Sequence, residues 1–265
     1  MGNMVIPLLH NEIAKAARTK LPYLGLVAVS ILCVLIFIVT GATVDGETLN
    51  AWGYTCLSMQ LVFTDIGLIC IAVFASMLIA EETAFGTVRA VLSSPVLRWE
   101  FYMAKVLTGL LYTAVITIVS LIISACLGAV NYQFGDVADS IGVIYTQKEV
   151  LVNFLLAFFL SWIPLAALVM YGIFISTIVK KSGQAVAVTI GTIYLIDFTK
   201  HIIGIDAYIF TKHIGFSWSI FHQVTQGIDY QWTPQVWNMI AMSLIYCFVM
   251  FVAGLVIFSK RDFNG

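Results

Sequence analysis

Few residues in this chain have the chemistry to do more than pack, and four of those few stand where water is scarce. Asp65 interrupts a long apolar run, and Asp197, Lys200 and His201 follow one another at i, i+3 and i+4 on one face of another. A charge at the bilayer centre costs about 2.5 to 3.5 kcal/mol on insertion scales, so ionisable residues inside spans are candidates for a proton or ion relay. A plainer explanation fits both places. Asp65 is near the outer start of its run and Asp197 near the outer end of its own, where snorkelling or an Asp197 to Lys200 ion pair suffices. His201, His213 and His222 could join Asp197 or Asp206 around a metal, but no ligand-like spacing supports it, and neither H-E-x-x-H nor paired C-x-x-C occurs. No Gly-Lys dipeptide occurs either, so there is no G-x-x-x-x-G-K-[ST] phosphate loop, and any energy for work must come from a gradient or a partner.

The elements that carry these residues are membrane spans. Of 265 residues 61% are hydrophobic and 10% charged, with mean hydropathy +0.99, against about 45 to 50% and about 25% in a soluble domain. The net charge of -1 gives no reason to expect nucleic acid as a partner. The five cysteines are too few and scattered for a disulfide framework. A span needs about 20 mostly apolar residues. Such runs fall at 21–42, 57–80, 106–129, 151–177 and 236–258, and a sixth at 185–203 reaches spanning length only by including Asp197, Lys200 and His201. The first run is expected to stay as a span, because a 20-residue amphipathic segment precedes it and no clear cleavage site follows. The expected fold is therefore an all-α integral membrane protein of six transmembrane helices, one transmembrane domain over 1–265.

Basic residues give the orientation. With six spans and an inside N-terminus, Lys15, Arg18, Lys20, Arg89, Arg98, Lys105, Lys180, Lys181, Lys260 and Arg261 fall on one side, leaving Lys148, Lys200 and Lys212 on the other. The positive-inside rule puts both termini in the cytoplasm and the chain in the inner or plasma membrane of the cell. Trp52, Trp218, Trp232 and Trp237 are then expected at the outer interface as an aromatic belt.

The segment 81–105, EETAFGTVRAVLSSPVLRWEFYMAK, becomes a cytoplasmic loop between the second and third spans. Gly86-Thr87 opens a short helix with Val88, Val91 and Leu92 on one face, and Ser94-Pro95 opens a second as N-cap and N1. The apolar stripe either lies on the membrane surface or docks to a soluble protein.

The order of an acidic pair (Glu81, Glu82), then Gly86-Thr87-Val88-Arg89, then Leu92-Ser93-Ser94-Pro95, Arg98 and Lys105 resembles the permease subunits of type-2 ABC exporters, as do LLHNEIAKAARTK before the first span and FSKRDF after the last. The resemblance implies an amphipathic helix at 5–20 along the inner membrane surface, and Leu9 and Ile13 on one face with Glu12, Lys15 and Arg18 toward water can support one. It implies that 81–105 holds the coupling helix seated in a separate ATPase subunit, with Glu81, Glu82, Gly86, Thr87, Val88, Arg89, Val91, Leu92, Pro95 and Arg98 at that joint. It implies two copies of the ATPase, which supplies ATP and Mg chemistry absent from this chain, and a second permease, identical or different, that completes a central pathway. The outer segment 204–235, where aromatic residues alternate with His213, His222 and Asp206, is expected to form short outer-leaflet helices before the last span, as in the family's outer gate. Asp65, Pro164, Asp197, Phe216 and Trp218 are candidates for pathway or gate, with kinks expected at Pro164 and Gly172. Small residues at Gly109, Ala114, Ser120 and Ala125 could allow close helix contact in the third span. Two other readings fit the residues: an ion-coupled secondary carrier using Asp65 and Asp197, and a non-transporting membrane scaffold.

Overall fold

The architecture is that of a computed structural model that describes residues 4–43, 50–88, 96–139, 142–204, 208–228, 230 and 232–261. In chain order the helices are α1 (Val5–Arg18), α2 (Leu21–Thr43), α3 (Ala51–Thr64), α4 (Ile66–Phe85), α5 (Arg98–Asn131), α6 (Gln147–Ile178), α7 (Ser182–Ile203), α8 (Phe210–His213), α9 (Phe216–Thr225) and α10 (Gln235–Lys260). Strands β1 (Val137–Asp139) and β2 (Gly142–Tyr145) pair as an antiparallel hairpin between α5 and α6. The sequence pattern did not predict this hairpin. Its exposed Val143 and Ile144 beside the buried Val137 are too short a signal to compete with the flanking helical runs.

Among the described residues five helical segments are long and apolar enough to cross a membrane: Leu21–Gly41, Ala51–Phe85, which joins α3 and α4, then α5, α6 and α10. The chain is a multi-pass membrane protein. The 185–203 run does form a helix, α7, whose outer half carries Asp197, Thr199 and Lys200 and stays outside that set. Several spans extend past their apolar runs because their ends are capped. Asn50 accepts from the Gly53 amide at 2.7 Å and starts α3 six residues before the expected 57. Thr146 and Glu149 form a capping box at the start of α6, the Glu149 carboxylate accepting from the Thr146 amide at 2.8 Å.

Helices that are apolar all round are oriented by their small and polar residues. On α2, Gly25, Val29, Cys33, Ile36 and Thr40 form the inward stripe, while Leu24, Val27, Ile31, Leu35 and Ile38 face outward. On α7 the inward stripe is Ala185, Thr189 and Ile193, and the Thr192 hydroxyl lies 2.6 Å from that of Tyr171 on α6. Gly172, where a bend in α6 was expected, is a point of tight packing of α6 on α4. A Cβ there would stand 2.7 Å from the Ala75 Cβ and 3.2 Å from the Ser76 nitrogen. Gly109 works in the same way, with Val169 of α6 pressed into the space its side chain lacks.

Candidate coupling site

Helices α4 and α5 are joined through residues 86–97, and a set of charges lies where they meet α1. The Glu82 side chain, at the end of α4, is only 4% exposed, and that of Lys105, two turns into α5, only 1%. Lys105 Nζ donates to Glu82 Oε1 at 2.6 Å and to Glu12 Oε2 at 2.6 Å. Lys15 donates to the same Glu82 oxygen. Two acids and two bases from three helices thus form a closed neutral network. Burial draws the Lys15 pKa down, but the hydrogen bond and charge of Glu82, with Glu12 and Glu81 adding, leave it above the usual lysine value. The network does not make the bundle stable merely by being ionic, since desolvation offsets the attraction. Its consequence is redundancy: Glu82 is held by both Lys15 and Lys105, and Lys105 by both Glu82 and Glu12, so each buried charge keeps one partner when another is lost.

This placement corrects the expectation that Glu12 faces water and head groups: its side chain is 14% exposed and turns inward to the Lys105 ammonium on α5. Lys15, 47% exposed, and Arg18 keep their expected outward places, the Lys15 ammonium reaching back to Glu82. Ile6 and Ile13, 74% and 45% exposed, also point outward.

Around the network the chain ties its ends together. Glu100 Oε1 accepts from the Met4 amide at 3.0 Å and Oε2 from the Leu97 amide at 3.1 Å, so one carboxylate holds the start of α1 and caps α5. Arg98 donates to the Ser259 carbonyl at 2.7 Å and the Arg261 carbonyl at 2.9 Å, a cation on the open C-terminal end of α10. Arg261 reaches the Thr177 carbonyl at the end of α6. Ser176 Oγ accepts from the amides of both Ile79 and Ala80, at 3.0 and 2.8 Å, and so couples α6 to the last turns of α4.

Of the residues expected at the joint, Glu81 is half-buried beside the Glu12 and Lys105 cavity. Gly86 ends α4 in the left-handed conformation with φ 72°, which glycine adopts without strain. The Thr87 hydroxyl donates to the Glu82 carbonyl at 3.3 Å. Val88 is buried in the main core, which corrects its place on a free apolar stripe. Arg89, Val91, Leu92 and Pro95 lie outside the described residues. Glu12, Lys15 and Glu100 were not singled out from sequence. The available signal was an acid closing one span and a lysine opening the next, two charges that a short connector brings level.

The opposite end holds the remaining candidates. Asp65 is exposed at the break between α3 and α4, beside the Thr64 hydroxyl at 3.4 Å. Asp197 pairs with Lys200 and accepts from Thr211 at 3.4 Å, tying α7 to α8. A half-open cleft of about 410 Å³ is lined by Asp197, Lys200 and Phe216 together with Gln60 and Thr64. No contact joins Asp65 to Asp197 among the described residues. Trp218 is wholly buried, packed against Phe154 with centroids 5.8 Å apart, and its carbonyl accepts from the Cys56 thiol at 3.1 Å. It therefore belongs to the core and not to an interfacial belt, because α9 lies over the bundle end and turns its rings inward. Trp52 is buried with it, while Trp237 is 67% exposed. Pro164 is buried within α6. Asn153, unforeseen, accepts from Tyr230 and from Trp232 Nε1 at 2.9 Å and latches α6 to the chain before α10.

The profile of a family described as ABC-2 family transporter protein matches residues 8–198, a stretch that includes most of α1, the charged network and Asp197 of the cleft. The chain belongs to this family. It is the non-enzymatic, membrane-spanning permease component of an ABC transporter, a class whose motor is an ABC ATPase partner. Among curated proteins none matches the chain. As an ABC-2 permease it has the charged network between the two helices that its 86–97 connector joins.

Proposed function

We propose that this permease is half of the translocation pathway of an ATP-driven exporter, with a second permease as its mate and two copies of a separate ATPase docked at 81–105. The observation that carries the reading is the closed network of Glu12, Lys15, Glu82 and Lys105, which makes α1, α4 and α5 move together when the connector moves. ATP-driven closure of the partner pushes on that connector, and the tied helices pass the displacement to the spans. The loop and both chain ends are cytoplasmic in this reading, as the basic residues predict. The six-span count rests on α7 crossing beside α4.

Arg89→Glu combined with Val91→Asp tests the docking role. Transport of a reporter substrate in reconstituted vesicles should lose its ATP dependence while the protein still inserts. ATP-dependent transport at the original rate in that variant would remove the coupling assignment.

A further inference from the structure

A separate cavity lies in the elbow where α1 turns into α2. It holds about 360 Å³ and is almost wholly apolar, walled by Ile13 and Ala17 of α1, Tyr23 and Leu26 of α2, and Leu111 and Val115 of α5. That volume is within the range of about 300 to 1,000 Å³ usual for small-molecule sites. The Tyr23 hydroxyl donates to the Ala17 carbonyl at 3.0 Å and pins the elbow. Tyr112, packed on Phe74 with ring centroids 4.1 Å apart, contributes to the floor. The slot shares Ala16, Phe74 and Thr108 with the smaller cavity that contains Glu12, Lys15 and Glu81, so an apolar slot lies wall to wall with a charged vestibule.

The charges at this mouth do not cancel. Glu12 and Glu82 are matched by Lys15 and Lys105. Arg18 and Lys20 are exposed on the elbow between the lining residues Ala17 and Pro22, and neither has an ion-pair partner among the described residues. Glu81 balances one of them and leaves an excess positive charge. An apolar slot beside excess cations, where an amphipathic helix meets a span, has the chemistry to hold an acyl chain below an anionic head. We propose that the elbow is a binding site for an anionic glycerophospholipid, with one acyl chain in the slot and its phosphate at Arg18 and Lys20. Since slot and network share walls, the bound lipid holds α1 against α5. The inference stands independently of the proposed transport role.

Native mass spectrometry of the full chain, released from micelles containing dioleoyl phosphatidylglycerol or dioleoyl phosphatidylcholine, tests it. The phosphatidylglycerol adduct should be retained in preference by roughly thirtyfold, the scale expected of two basic residues at an anionic head. Arg18→Gln with Lys20→Gln should bring the ratio near one with the unfolding midpoint in lipid-free detergent unchanged. Leu111→Trp, from a half-exposed wall position, should displace both lipids. Absence of any adduct, equal retention of the two lipids by the unchanged chain, or a preference that survives the charge-neutral variant would each overturn the proposal. If Leu111→Trp does not fold, the charge-neutral variant decides alone.

Discussion

Lys105 Nζ stands 2.6 Å from Glu82 Oε1, an almost fully buried pair across the two helices that the 86–97 connector joins. Replacing Lys105 by Met leaves the Glu12 and Glu82 carboxylates without their shared cation, and breaking a buried pair in this way costs about 3 to 5 kcal/mol. Denaturant unfolding in a fixed detergent should show that loss, and Lys105→Met with Glu82→Gln should be less damaging than the two single losses added. Strict additivity would mean that the pair is not coupled.

Ser176 is the one-atom link from α6 to α4. Ser176→Ala removes the hydroxyl that the Ile79 and Ala80 amides, already inside the α4 ladder, also reach, and should destabilise by about 0.5 to 1.5 kcal/mol, the usual net worth of an intramolecular hydrogen bond. Ser161→Ala serves as control, because the Ser161 hydroxyl bonds only to the Phe158 carbonyl of its own helix. Thermal unfolding should separate the two variants; equal midpoints would contradict the link.

At Gly86 the space around a new Cβ is open, so the conformation alone sets the penalty. Gly86→Ala should cost about 1 to 2 kcal/mol for holding an L-residue in the left-handed region, and Gly86→Asn should recover part of it. Retention of full stability by Gly86→Ala would show that α4 does not end as described.

Asp65 and Asp197 separate an ATP-driven transporter from an ion-coupled carrier. Asp65→Asn should leave ATP-dependent transport in vesicles near its original rate, since the side chain is exposed and its carboxylate has a neighbouring hydroxyl as partner. Asp197→Asn should lower stability by removing the charge that compensates Lys200, 7% exposed. Transport that vanishes in a well-folded Asp65→Asn protein would favour the carrier.

Much of this fold was legible because apolar runs of spanning length leave little choice but helices, and the five runs from 21–42 to 236–258 lie inside the helices that formed. Helix ends were less legible, since Asn50 and Glu149 extend α3 and α6 past the apolar run by capping. Facing was the least legible property. Glu12 looks like a water-facing residue until Lys105 is brought within reach from 93 positions away, and Trp218 looks interfacial until α9 folds over the bundle. Such outcomes depend on tertiary proximity, which periodicity within one helix does not encode.

Whether an ATPase drives this permease through 81–105 is answered by purifying tagged protein from its native membrane in mild detergent, with and without Arg89→Glu and Val91→Asp, and identifying co-purifying chains by mass spectrometry. A soluble ABC ATPase should accompany the unchanged chain in stoichiometric amount and be lost from the variant. An ATPase retained by the variant, or none with either, would contradict that coupling.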